Sequence, residues 1–495
     1  MALVGVEGPV WTSKGMADAR GRFPLRVETP VSGLVDHLVP GVITTTRQAR
    51  YYSINLLGAA AAADRGLDAD GAFALLRRLE VVAAAIHFLH QPHRRELTVA
   101  HGEERVGGFI VADSLHVARA ARLGSSGMSM GGFRNVYTGV LLRLGLLAPG
   151  RPPTLGEAAD EPAVRSGLEG MLDLADQDVV GVGEIKAAAH LCLCRAAEAP
   201  DGVWLRQALF GARPADEPTA ADDRNRHLTT RMLLDALSGG GESSAEGAFT
   251  RAHGFGPTID DDTTPAGVVA AAWQGAILRN YSVTAWRELW RWLAARLAEE
   301  PMSADDLADR LARAVGPGGV RDFRAELPPR LGAAGELLPA EEDIRRSEED
   351  EPRRHLRHLA LGAFRTQDLE RRTLAAFIGA ERHDLGPVWF RHELDRYADA
   401  PLSELARELG HTLVDRARRV AYSKMRITNG RVWIPSRLHE VGEKLWVDGE
   451  EGATPVSLRQ WALAEILCGL GMLDRRGGVL HVTDLGEEMR GRLHA

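Results

Sequence analysis

From Pro265 to Glu299 the sequence reads as one long helix, opened by Thr264–Pro265 and preceded by Asp260, Asp261 and Asp262, an acidic run that suits the positive end of a helix dipole. It carries Trp273, Trp286, Trp290 and Trp292, with Trp286 and Trp290 four positions apart and so on one side. Rings of that size favour burial in a core or between packed elements over service as a base-stacking platform. The middle of the chain, roughly residues 160–335, is accordingly expected to be helical. Helical spacing recurs from Asp70 to His90, through Phe73, Leu76, Leu79, Val82 and Ile86. Further helices are expected over 353–364, 367–380, 388–398 and 402–422, with Ser403 capping the last. The fold class that follows is mainly α and multi-helical, with winged-helix-like modules and short β-hairpins.

The winged-helix expectation rests on two stretches of similar outline. Phe133–Leu147 reads as a helix ending near Gly145, followed by a turn and by Thr154 and Glu157 in capping-box spacing. Near the C-terminus a helix beginning at Ser457, with Gln460 completing a capping box, leads into Cys468–Gly491. There Leu473–Asp474 and Val479–Thr483 can pair across Arg475–Gly478 as a wing, and Thr483 caps a last helix. A short hairpin is also expected within Leu97–Val111, before a helix at Ser114–Leu123.

A chain of 495 residues exceeds what one hydrophobic core serves, at about 100–200 residues per domain. The expected divisions are an irregular arm at 1–35, with a short strand near Phe23–Val27, and a helical domain at 36–160 with a winged-helix end. A helical middle domain at 161–331 follows, then an acidic linker at 332–352 and a helical and winged-helix domain at 353–495. No run of about twenty apolar residues is present and the N-terminus lacks a basic-then-apolar leader, so a cytoplasmic protein without membrane contact is expected. Cys192, Cys194 and Cys468 are read as buried apolar residues, because the one-residue spacing of the first two suits neither a zinc knuckle nor a CxxC redox pair.

Catalytic patterns are present only in fragments. Gly127-Met128-Ser129-Met130-Gly131 matches the nucleophile elbow, but a helix end precedes it where a buried strand is required. Asp173–Asp178 with Glu184 and Lys186 has the residue types of a metal-dependent nuclease, yet Ile185, Ala189, Cys192 and Ala196 put that stretch on a helix. The sequence contains no Gly-Lys dipeptide, so a P-loop is excluded, and His383-Asp384 alone does not make a phosphohydrolase. No catalytic residue, metal ligand or cofactor is assigned. A metal-dependent nuclease or serine hydrolase, and a winged-helix transcription regulator, stand as the alternatives to a non-catalytic nucleic-acid-binding or adaptor subunit.

The net charge of −8 denies the whole molecule a general attraction to polyanions, so a nucleic-acid contact requires a local patch. One exists: between Arg416 and Trp446 lie Arg416, Arg418, Arg419, Lys424, Arg426, Arg431, Arg437 and Lys444, eight cations against Glu440 and Glu443. Asn429-Gly430 marks a tight hairpin that pairs Met425–Thr428 with Arg431–Ile434, and Tyr422, Trp433 and Trp446 place flat apolar faces among the charges. A basic face that docks an acidic protein surface fits the same residues. A second candidate anion site is Arg47 with Arg50, three apart near the start of a helix whose N-cap is offered by Thr44, Thr45 or Thr46.

Those two arginines belong to a longer pattern, Asp36, Leu38, Pro40, Gly41, Thr46, Ala49, Arg50, Tyr51 and Tyr52. It resembles the N-terminal signature of uncharacterised bacterial proteins, some of whose genes lie among restriction and phage-defence genes. The resemblance covers about 20 residues. It implies a setting in anti-phage defence and carries no binding or reaction residues with it. The expectation is a non-catalytic nucleic-acid-binding or adaptor subunit of a multi-gene bacterial system, with DNA or another nucleic acid and the proteins of a complex as partners.

Overall fold

The computed structural model describes residues 23–90, 100–123, 132–211, 220–257, 263–349, 351–379, 384–428 and 431–492. Among them are 22 α-helices, while the strands form one three-stranded and four two-stranded antiparallel sheets. The chain is mainly α. None of the described helices is long and apolar enough to cross a membrane. Contacts divide it into two units, Met1–Leu34 with His253–Val456, and Val35–Ala252 with Ser457–Ala495.

In the first of these, the long-helix unit, the helix Pro265–Glu299 has the bounds its sequence implies, and the Thr264 hydroxyl caps it by accepting from the Gly267 N–H at 3.1 Å. Trp273, Trp286 and Trp290 are fully buried and Trp292 is nearly so, as core residues rather than stacking surfaces. The Trp286 ring meets Phe390 of the helix Pro387–Arg396 edge to face, centroids 5.5 Å apart. Gly275 lets the helix Arg371–Ile378 approach closely: a Cβ there would sit 2.7 Å from the Thr373 carbonyl oxygen and 2.8 Å from the Phe377 nitrogen.

Part of the acidic stretch expected as a linker at 332–352 is packed instead. It forms the helix Ala340–Arg346, in which Ala340, Glu341 and Ile344 are buried. Glu341 accepts two charge-assisted bonds from Arg365, at 2.9 and 2.8 Å, and Arg365 also donates to the carbonyls of Arg330 and Leu338. A clustered acid reads as solvated only until a buried guanidinium elsewhere in the chain supplies its counter-charge. The strand expected near Phe23–Val27 does not form, and the first described helix is Thr29–Leu38.

The winged unit joins two distant pieces of sequence. Helices Ala220–Leu237 and Ala245–His253 are followed, some 200 residues later, by the helix Gln460–Gly469 and the hairpin Leu473–Arg476 with Val479–Val482. Glu242 pairs with Leu480 and so adds a third, one-residue edge to the wing. Helix, short strand, helix, helix and two-stranded wing is winged-helix order, with residues 254–456 inserted before the third helix. The module is therefore not contained in a contiguous 353–495 domain. Gly477 and Gly478 both have positive φ, the conformation a two-residue turn requires.

Thr483 caps the last helix as expected, its hydroxyl accepting from the Gly486 N–H at 3.1 Å. The Ser457–Gln460 capping box does not form, because Arg459 takes the N-cap position with φ 69° and Gln460 is buried. The earlier module comprises Gly132–Arg143, the pair Leu147–Ala148 and Thr154–Leu155, and Glu161–Gly167. Thr154 is a strand residue there, and the following helix is capped by Asp160, not by Thr154. In the described part of Leu97–Val111, Glu103–Val106 is helical, and Ile110–Val111 pairs with Ser114–Leu115, which pairs in turn with Val180–Gly181.

Candidate functional site

The Asp36–Tyr52 signature is an internal clamp of the winged unit. Thr46 does not cap the helix Arg50–Asp64; its hydroxyl closes the preceding turn by accepting from the Ile43 N–H at 3.1 Å. The buried Tyr52 hydroxyl donates to the Gly41 carbonyl at 3.0 Å, and Arg226 donates to the Pro40 and Leu209 carbonyls while pairing with Asp223. Arg50 is 1% exposed. Its guanidinium donates to the carbonyls of His190 and Cys192 at 2.7 Å each, to that of Gly167 at 2.6 Å, and to the Asp201 carboxylate at 3.3 Å.

Arg47 and Arg50 thus make no shared anion-facing side. Arg50 is turned inward, and its two terminal nitrogens donate to three main-chain carbonyls and the Asp201 carboxylate. Arg47 is half-buried, with its guanidinium 5.5 Å over the Trp461 ring. Asp36, at the head of the signature, pairs with Arg459, which also donates to the Val42 carbonyl at 2.8 Å. The signature therefore lies along the third winged-helix helix, Gln460–Gly469. That helix exposes no residue, and its single charge, Glu465, is held by Arg475. A helix so covered and without a cation does not present the side chains that read base edges in a groove.

The basic segment divides by position along the chain. At its base the cations are tied down: Arg416 donates to the Leu25 carbonyl at 2.9 Å, and Arg418 pairs with Asp415 at 3.2 Å and Glu440 at 2.9 Å. Arg419 pairs with Asp384, and Arg437 lies 3.7 Å from Glu451. Lys424 donates to the Phe23 carbonyl at 3.0 Å, and partial burial holds its ammonium pKa below the usual range. Arg426 is different. It is exposed on the hairpin Arg426–Thr428 with Arg431–Trp433, its guanidinium 5.8 Å over the Trp433 ring. Arg431 is placed as the first residue of the second strand, opposite Thr428, and Lys444 is exposed on the neighbouring hairpin of Leu438–Val441 with Lys444–Val447.

That hairpin also carries a feature the charge pattern did not announce. Ile427 and Val432 are direct cross-strand partners and are 70% and 50% exposed. Of eleven exposed large apolar side chains among the described residues, five, Tyr422, Met425, Ile427, Val432 and Val441, fall in residues 422–441. Alternation across a two-residue period was the available signal: Ile427 and Val432 share one face of the ribbon, and Arg426 and Trp433 share the other.

The remaining enzymatic candidates come apart. Ser129 and the Gly127–Gly131 turn, Asp260 to Asp262, and His383 lie outside the described residues. Asp176 pairs with Arg65 at 2.8 Å, and Asp178 pairs with Arg78 at 3.0 Å. Glu184 caps its own helix by accepting from the Gly181 N–H at 3.2 Å, and Lys186 is exposed on that helix, Val182–Ala187. Among the described residues no two strands bring these acids together as a nuclease site would. A cluster with ligand chemistry does occur at His90, Cys192 and Cys194, from residues the sequence reading set aside.

No protein-family model, curated protein or solved structure matches the chain.

Proposed function

We propose that the protein is a non-catalytic adaptor subunit of a multi-gene bacterial anti-phage defence system, and that its contact element is the hairpin around Ile427 and Val432. The observation that carries this reading is the pair of exposed, cross-strand apolar side chains at 70% and 50% exposure. A two-stranded ribbon that leaves such a pair to solvent offers an apolar anchor, while Arg426 on the same ribbon suits an acidic rim on a protein partner. The defence setting is supported by the likeness of Asp36–Tyr52 to the signature described above.

Capture from lysate of the producing cell with full-length protein as bait tests it. A discrete set of proteins enriched by the wild type and lost from Ile427→Asp/Val432→Asp is the expected result, and an identical set from both overturns the hairpin assignment. Nucleic acid is the second reading, favoured by Arg426 stacked on Trp433, an arrangement that also holds unpaired bases. Anisotropy titrations with labelled single-stranded and duplex DNA across a salt series decide it: binding that weakens steeply with salt and requires Arg426 promotes this reading.

A further inference from the structure

His90 closes the helix Ala69–Leu89, and Cys192 lies between two tight 3₁₀ turns, Ala189–Leu191 and Leu193–Glu198, in extended backbone. That single extended residue turns the chain so that Cys192 and Cys194 address the same helix end. One ligand atom from each of His90, Cys192 and Cys194 lies within 4.8 Å of the other two. The Nδ1 atom of His90 is 3.3 Å from the Cys194 sulfur, and the Nδ1 atom of His87, one turn earlier, is 3.4 Å from the Cys192 sulfur. In tetrahedral zinc coordination, with bonds near 2.3 Å to sulfur and 2.0–2.1 Å to nitrogen, neighbouring ligand atoms stand about 3.5–3.8 Å apart.

We propose that His90, Cys192 and Cys194 bind a zinc-class divalent transition-metal ion, with His87 as the adjoining imidazole that steadies the Cys192 sulfur. Two thiols and an imidazole are the donor set that selects a borderline-soft ion over magnesium or calcium. The surroundings are those of a held site. Arg50 fixes the bend by donating to the Cys192 carbonyl at 2.7 Å. The Nε2 atom of His87 faces the Glu103 carboxylate at 3.7 Å, and that carboxylate accepts from the Ala100 N–H at 3.1 Å, a carboxylate behind an imidazole as in many metal centres. A single nucleophilic cysteine needs one base beside one thiol; two sulfurs meeting two imidazoles is a chelating arrangement. The ligands come from positions about a hundred residues apart, so chain spacing did not signal them.

The test uses reduced full-length protein free of a histidine tag, stripped with EDTA and titrated with cobalt(II) chloride and then zinc chloride. Expected are a thiolate-to-cobalt absorption band that saturates at one equivalent and is erased by zinc, one zinc per chain by elemental analysis, and a melting temperature that rises with zinc. Cys192→Ser/Cys194→Ser abolishes the band. His90→Ala weakens cobalt binding at least tenfold, and His87→Ala does so by about 10- to 100-fold, the range for outer partners of metal ligands. Absence of the band in wild-type protein overturns the proposal, and that measurement stands whether or not the variants fold. A band that survives the double serine variant, or a Cys192–Cys194 disulfide that forms in place of metal binding, overturns it equally.

Discussion

The signature around Arg50 and the hairpin around Arg426 are both arginine-rich beside aromatic rings, and the molecule uses them in opposite ways. Arg50 is enclosed with three main-chain carbonyls and a buried carboxylate, and nothing of its charge reaches solvent. Arg426 stands on a two-stranded ribbon with an indole as its neighbour. Composition does not separate these cases. Supply of acceptors does: the carbonyls of Gly167, His190 and Cys192 and the Asp201 carboxylate converge on one enclosed guanidinium. A hairpin satisfies its own backbone and leaves its side chains available.

The largest effect expected from this contrast is at Arg50. Arg50→Met should lower unfolding free energy by about 3–5 kcal/mol, since Asp201, fully buried, loses its counter-charge. Urea denaturation measures it, and Asp201→Asn should restore part of the loss in the double variant. Arg365→Met in the long-helix unit should cost a similar amount, about 3–5 kcal/mol, by stranding Glu341. A loss below about 1 kcal/mol at either position would show that these arginines are not the clamps their geometry describes, and the comparison with Arg426 would collapse.

How far the sequence announced all this depends on the range of the interaction involved. The helix Pro265–Glu299, its threonine cap and its buried tryptophans were legible because spacing and capping act within a few residues. So were the wing hairpin at Gly477–Gly478 and the pairing of Arg426–Thr428 with Arg431–Trp433. Contacts set by distant partners were not. Within the acidic stretch at 332–352, Ala340–Arg346 is a helix whose Glu341 is buried against Arg365, and the winged helix took two of its helices from before residue 254. Of the basic segment, sequence located the hairpin but could not show that Arg416, Arg418, Arg419, Lys424 and Arg437 are engaged in other contacts, or that its apolar pair faces solvent.

An intermediate effect should appear with pH. His355 is buried in the helix Glu351–Asp368, and burial, reinforced by Arg354 and His358, pushes its pKa down from 6.5 to about 3. Between those values the unfolded chain binds the proton and the folded chain does not, so stability falls as pH drops from about 6.5 toward 3. The slope from this one group is at most about 1.4 kcal/mol per pH unit. Urea midpoints measured from pH 7 to pH 4 should show a shallower decline in His355→Phe than in wild type. An unchanged decline would mean that His355 gains a proton in the folded protein at no cost, against its enclosure.

The smallest effect on stability should be at the hairpin, and there smallness is the informative outcome. Ile427→Asp/Val432→Asp and Arg426→Ala should each shift unfolding free energy by no more than about 0.5 kcal/mol, the ordinary response of exposed positions away from caps and buried networks. Exposed apolar side chains that add nothing to folding are what the proposed contact role requires of Ile427 and Val432. If the aspartate pair instead destabilised the protein by about 2 kcal/mol or more, Ile427 and Val432 would be packing residues like Arg50's neighbours. The distinction between an enclosed, self-satisfied region and one offered to a partner would then fail at the point where the adaptor reading depends on it.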